Sequence, residues 1–348
     1  MNDRMKARLK LKGSEPRKMN KVIKHKPEDF IVEEILEKLP KDGEGHMLCI
    51  LEKQGVDMFG ALKTISKVLG IAQKEIGYAG IKDKHAITKQ HITIPIKAKH
   101  RLSSAEELSS GGDISLRHLK DVEEPIRPGQ LQGNRFWITV RSLPKEITLD
   151  APEKVPNFFG EQRFGKCNHA IGEYIVKRDF ERAALLAMES QKGGNMIKEH
   201  LRKNPKDFVG ALGKLRESIT IFFIHAYQSF LWNSILEDVL RTKGIEVIAQ
   251  DDVIPIPGFS SDCPDKFRSS YDKVLKKEGI TERDFVIKEL PRLSCEGDVR
   301  EALMNVSEFK HNFDDDEIFK NMKKCKLTFT LGKGSYATSL IEYLFSKM

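Results

Sequence analysis

From Tyr78 to Thr88 the chain reads Tyr-Ala-Gly-Ile-Lys-Asp-Lys-His-Ala-Ile-Thr, so Asp83 is a lone carboxylate between Lys82 and Lys84, shortly after Gly80. Cations on both sides favour the ionised acid. A carboxylate kept ionised is a poor general acid but a usable nucleophile. The same lysines would attract a phosphate backbone. A bare Lys-Asp-Lys is equally at home in a surface turn, and alone it says no more than that.

Three further stretches carry groups that could do chemistry. Gln130-Leu-Gln-Gly-Asn-Arg-Phe-Trp137 sets the amide of Asn134 two residues before the ring of Phe136, and Gly133 permits close backbone approach. A splayed-out base needs such a pair, for edge hydrogen bonds and stacking. The plainer reading is a turn entering a buried strand, with Phe136 in the core. Pro156-Asn-Phe-Phe-Gly-Glu-Gln-Arg-Phe-Gly165 packs three Phe and Arg163 into ten residues. It is either a well-packed hinge or a loop that presents Arg163 to a phosphate. Thr330-Leu-Gly-Lys-Gly-Ser-Tyr-Ala-Thr338 has the strand, glycine loop and helix start of a nucleotide-binding loop, but the glycine required five residues before Gly332 is Leu327. A helix starting near Ser335 could still bind an anion through its free N–H groups, or simply be capped.

These stretches need elements to position them. Val22–Leu36 reads as strand, turn, strand. Asp57 caps a helix whose apolar positions are Leu62, Ile65, Val68 and Leu69, and Gly70 ends it. Ile92, Ile94 and Ile96 alternate with Thr93 and Pro95, a half-buried strand with an edge or an end at the proline. Gly111-Gly112 breaks the chain, and Phe136–Arg141 is another strand. From about 152 to 307 helical periodicity takes over, with one helix over His169–Met188 and another over His225–Leu240, interrupted by the Pro/Gly-rich Ile254–Pro264. Lys326–Leu331 returns to strand, and Ser335–Phe345 to helix. Strand-rich ends around a helix-rich middle predict a discontinuous domain with an insertion.

The 348 residues suffice for about two domains and a core without staples. A charged fraction of 32%, a mean hydropathy of −0.43 and no apolar run near the ~20 residues of a spanning helix exclude an integral membrane protein. The N-terminus has no apolar stretch of a secretory signal. Five scattered cysteines with no CxxC pair indicate neither a zinc knuckle nor a disulfide framework, and a cytoplasmic setting is expected. The histidines form no HxxxH, HxE or HExxH pattern, so no metal is assigned. His85 and His91 flank the Lys-Asp-Lys loop and read as RNA-contacting or structural rather than as ligands. Neither GxGxxG nor GxSxG occurs. The net charge is +8, and residues 1–26 alone hold ten Lys/Arg against Asp3 and Glu15. Such a field draws polyanions, although a solvated basic tail would look the same.

In this order the segments resemble the tRNA pseudouridine synthase D (TruD) family. The matching stretches are Pro27-Glu-Asp-Phe-Ile-Val-Glu-Glu34, Gly43-Glu-Gly-His46, Gly77-Tyr-Ala-Gly-Ile-Lys-Asp-Lys84 with Thr88 and Gln90, Gly133-Asn-Arg-Phe136, Asn157-Phe-Phe-Gly-Glu-Gln-Arg-Phe-Gly165, Ala226-Tyr-Gln-Ser229 with Asn233, and Gly334-Ser-Tyr-Ala-Thr338. Leu331-Gly332 stands where the family often has Leu-Pro, and Val299 precedes Arg300 where a double arginine is common.

The resemblance implies an α+β fold: a pseudouridine-synthase-type mixed β-sheet catalytic domain with flanking helices (1–155 and 308–348), interrupted by a helix-rich α/β inserted domain (156–307). It implies a tRNA pseudouridine synthase, with position 13 as the expected target, no cofactor, no nucleotide, no membrane, and tRNA as the partner of a monomer. It makes Asp83 the nucleophile and places Phe30, Asn134, Phe136 and Tyr336 at the uracil. Lys82, Lys84, His85 and Arg163 are the expected RNA contacts. A non-catalytic RNA-binding module on the same scaffold is the rival reading. A nucleotide-dependent enzyme using the Gly332-Lys-Gly-Ser335 loop is a third, disfavoured by its spacing.

Overall fold

The computed structural model describes residues 21–105, 113–189 and 193–346. Most of the basic arm and the Gly111-Gly112 break therefore lie outside the described residues. In chain order the strands are β1 (Phe30–Leu36), β2 (Asp42–Gln54), β3 (Gly77–Tyr78), β4 (Ile87–Pro95), β5 (Ile114–Val122), β6 (Leu131–Leu143), β7 (Val253–Ile256), β8 (Asp298–Glu301), β9 (Val306–Asp315) and β10 (Lys323–Gly332). The chain divides into two compact units. One holds Lys154–Met304 and Thr338–Tyr343; the other holds the preceding segment up to Glu153, together with Asn305–Ala337.

The second unit is built on a mixed sheet in the order β5-β2-β4-β1-β6-β10-β9, with β3 paired to β4. β1 runs parallel to β4, while its other neighbour β6 is antiparallel. Side chains alternate between faces along a strand, and the register aligns one face into a stripe. Met47, Cys49, Leu51 and Lys53 of β2 stand opposite Ile94, Ile92, Gln90 and Thr88 of β4. Val32 stands opposite Thr88 on one side and Phe136 on the other, and Glu34 opposite Asn134. Phe329 and Leu331 of β10 complete the row beside Phe136 and Asn134.

The apolar end of this face is covered by the helix Met58–Leu69. Asp57 caps it by accepting from the Gly60 N–H at 3.0 Å, and Gly70 closes it in the left-handed region at φ 65°. Met58, Ala61, Leu62, Ile65 and Leu69 pack against Met47, Cys49, Leu51, Ile92 and Ile94. The polar end, from Lys53 and Thr88 across to Asn134, lies beside the 79–86 connection between β3 and β4.

The first unit is helical, with β7 and β8 as a two-stranded ribbon. Its centre is the helix Glu217–Lys243, longer at both ends than the periodicity over 225–240 predicts. Phe223, Tyr227, Trp232, Ile235 and Leu236 are buried on several sides of it, because other helices surround it. The expected single helix over 169–188 is two, Asn168–Val176 and Phe180–Met188. Arg178 between them takes φ 64°, and Asp179 caps the second by accepting from the Arg182 N–H. That capping bond competes with helix continuation, which apolar spacing alone does not register.

Candidate active site

Asp83 sits on the irregular connection between β3 and β4, with its side chain about one-third exposed (34%). The ammonium of Lys24 lies 2.8 Å from its Oδ2 and 4.2 Å from the centre of the Phe30 ring, so one cation spans the carboxylate and the ring. Lys24 reaches there from a strained backbone, at φ 62°. The segment carrying it is fastened on both sides. Val22 and Arg141 exchange backbone hydrogen bonds at 3.0 and 2.8 Å, and Lys26 N–H donates to Asp29. The buried Arg141 guanidinium donates to Asp29, Asp316 and Glu317, and above all the Asp29 bonds hold its pKa above the ordinary value.

The loop is gripped from the polar end of the sheet. Gln90 donates from Nε2 to the Gly80 carbonyl at 3.1 Å. Lys53, 1% exposed, donates to the carbonyls of Asp83 (2.8 Å), Val56 (3.0 Å) and Lys82 (3.4 Å). Lys82 turns inward and pairs with Glu34, its Nζ 2.8 Å from Oε2. Glu34 also accepts from the His91 backbone N–H at 3.2 Å. Burial lowers the His91 pKa, against the opposing charge of Glu34.

Beside the loop lies an aromatic floor. Phe30 meets Phe136 edge-on, with centroids 6.2 Å apart and planes at 75°; Phe136 in turn stacks on Phe329 at 5.4 Å. Asn134, one pleat along β6 from Phe136, has a buried Oδ1 with no hydrogen-bond partner among the described residues. A buried amide oxygen left open is costly unless something else donates to it. Gly133 permits the close contact of β6 with β10: a Cβ there would stand 2.2 Å from the Leu331 carbonyl oxygen.

An ion-paired carboxylate, a ring floor and an open amide oxygen thus gather at the polar end of one sheet. The profile of the tRNA pseudouridine synthase D (TruD) family matches residues 13–195, 189–256 and 253–343. The chain belongs to that family. It is 30% identical to the protein named tRNA pseudouridine synthase D in Methanopyrus kandleri, over 86% of this chain and 85% of the relative. It is also 30% identical to the protein of that name in Methanosarcina acetivorans, over 92% of each. The crystal structure of the TruD protein from Methanosarcina mazei superposes with a TM-score of 0.72 at 27% identity, covering 94% of both chains. The α+β class read from the family resemblance agrees with that match.

Among the residues singled out from the sequence, Asp83, Phe30, Asn134 and Phe136 lie in the sheet unit on the elements just described. Tyr336 is half-buried in the segment between β10 and the helix Ala337–Leu344. Lys84 and His85 are exposed on the loop. Lys82 differs from a surface cation beside Asp83: its ammonium is buried and pairs with Glu34. Among the described residues, Lys24, 59 positions away in sequence, pairs with Asp83.

Arg163 belongs to the helical unit. It donates to Ser229 Oγ at 3.2 Å and lies 5.5 Å from the Phe222 ring centre. Arg300, also in that unit, donates to the carbonyl and side-chain oxygens of Asn157 and sits 4.0 Å over Phe159. It thereby holds the start of the Asn157–Gly165 stretch, at Asn157 and Phe159.

Lys24, Lys53 and Phe329 have no role assigned from the sequence, and Glu34 and Gln90 appear there only within the matched stretches. Two left a signal. Lys53 continues the buried alternation Met47, Cys49, Leu51, and Glu34 continues Phe30, Val32. A charge in phase with a buried face marks a paired interior ion. Lys24 left none, because its contact depends on the fold. Among the described residues no three His, Cys, Asp or Glu come together as a metal site, and all five cysteines are free thiols. No described helix is long and apolar enough to cross a membrane.

Proposed function

We propose that this pseudouridine synthase isomerises a uridine of tRNA with Asp83 as its nucleophile, after the nucleotide is turned out of the stack. The observation that carries the reading is the Lys24 ammonium, shared between the Asp83 carboxylate and the Phe30 ring, beside Phe136 and the open oxygen of Asn134. A stacked base hides its glycosidic bond, so the nucleotide must flip. The C1′–N1 bond then breaks, the uracil turns, C5 bonds to C1′ and the C5 proton leaves. An anionic Asp83 serves each route to cleavage: attack at C1′, removal of the 2′ proton as the bond breaks, or addition at C6. The uracil must be retained while it turns. Stacking against the ring floor and a uracil N–H donated to Asn134 Oδ1 would do this without fixing its rotation. Tyr336 would add a further contact.

The sheet unit is the catalytic domain in this reading and the helical unit the insertion. Lys84, His85 and Arg163 serve as RNA contacts. The protein acts as a cytoplasmic monomer without cofactor or nucleotide, and position 13 of tRNA is the expected target.

The test is Asp83→Asn. It should abolish pseudouridine formation, read by carbodiimide primer extension, and leave tRNA binding largely intact, since the basic surface is untouched. Normal turnover in that variant would refute the nucleophile. Salt-sensitive tRNA binding by the wild type without product would favour a non-catalytic RNA-binding module.

A further inference from the structure

Lys53 is an unusual charge for its place. It stands in phase with Met47, Cys49 and Leu51 on a buried face, next to the start of the helix Met58–Leu69. A buried ammonium persists only when its hydrogens are satisfied. Here they go to the carbonyls of Val56, Lys82 and Asp83. Two of these acceptors are consecutive in the peptide that carries Asp83. The third directly precedes the helix cap Asp57. One cation therefore ties the catalytic loop to β2 and to the helix start.

We propose that Lys53 is a positioning residue for the isomerisation: by holding the Lys82 and Asp83 carbonyls it sets the direction in which Asp83 presents its carboxylate. This rests on Asp83 being the nucleophile. An ammonium has three N–H donors for the three carbonyls around it. A neutral amine has two, and its lone pair would face an oxygen. Loss of the proton thus releases one of the three holds. The charged groups acting on Lys53 are Asp83 and Asp57, which favour the ammonium, and Lys82, which opposes it. Asp83 is itself paired with Lys24, and Lys82 with Glu34. Burial outweighs them all and pulls the Lys53 pKa down to about 8. The grip on the loop therefore loosens as pH rises through that value.

The experiment is single-turnover isomerisation of full-length tRNA across pH, with tRNA affinity measured in parallel, for the wild type, Lys53→Met and Lys53→Arg. Lys53→Met should cut the rate by roughly 100-fold, the scale of a misplaced catalytic group, with affinity for tRNA unchanged. The wild-type rate should fall above pH 8 or so. Lys53→Arg, whose charge persists at every pH used, should recover much of the rate and carry the alkaline limb to higher pH. That shift separates Lys53 from ionisation of the substrate's own uracil. If Lys53→Met does not fold, the arginine profile decides.

Three results would overturn the proposal: an unchanged rate in Lys53→Met, a loss confined to tRNA affinity, or an arginine variant that keeps the wild-type alkaline limb or is no faster than the methionine variant. Asp83→Asn run alongside keeps the two readings apart. Turnover that needs Asp83 but ignores Lys53 defeats only the positioning role.

Discussion

The two ends of one sheet face differ in how they tolerate change. At the apolar end, Met47, Cys49, Leu51, Ile92 and Ile94 pack under the helix Met58–Leu69, and many weak contacts share the load. At the polar end, Lys53, Gln90 and Glu34 hold particular groups of the 79–86 loop: Lys53 the Lys82 and Asp83 carbonyls, Gln90 the Gly80 carbonyl, and Glu34 the Lys82 ammonium. Both ends use β2 and β4 in one pairing, and the polar end adds β1 through Glu34. The difference is specificity of partner. Apolar burial is non-directional, so a lost methyl is partly absorbed by neighbours, whereas a buried ion that loses its partner has no substitute.

The sharpest way to break this contrast is Glu34→Ala. It leaves the buried Lys82 ammonium unpaired, so unfolding free energy should fall by about 3–5 kcal/mol, and turnover per folded molecule should fall as well. Urea unfolding with single-turnover kinetics would read both. A loss of stability with normal turnover would mean that the polar end is only structural. Leu62→Ala at the other end should cost about 2–5 kcal/mol and leave turnover per folded molecule unchanged. A slower rate there would show that the two ends are coupled.

Phe136→Ala sharpens the comparison at the floor. It should remove stacking of about 1–3 kcal/mol on the turned-out base, seen as a slower single-turnover rate at saturating tRNA. An unchanged rate would count against placing uracil on that ring.

The remaining effect concerns pH. Because burial depresses Lys53 from 10.5 to about 8 in the folded protein, the unfolded chain binds more protons between those values. Stability from this group therefore rises as pH climbs through that window and is lost as pH falls through the folded value. Melting temperature should rise there in the wild type relative to Lys53→Met, while activity declines. Parallel rise or parallel fall of the two would contradict the assignment.

Much of the sheet unit was legible in the sequence, for local reasons. Asp57 and Gly70 bound a helix with apolar residues at its period, and the helix runs over Met58–Leu69. The alternating isoleucines give β4, which ends at Pro95 because proline has no N–H for the ladder. Strands expected over 136–141 and 326–331 occur within the longer β6 and β10. The break between 169 and 188 was not legible, since Ala, Leu and Ile continue the apolar spacing across it. Nor was the inward turn of Lys82, because neighbours in sequence look like neighbours in space until a loop folds.

By itself the sequence determined the segments, their periods, the family and the residue types available to the site, because these depend on neighbours within a few positions or on ordered motifs. Only the tertiary structure decided who meets whom. Lys24 finds Asp83, Lys53 finds its carbonyls, Lys82 finds Glu34 and Phe329 finds Phe136. Each of these contacts joins positions far apart in the chain. Their geometry is set by the strand order, which no local spacing encodes, and by the register the strands take within it.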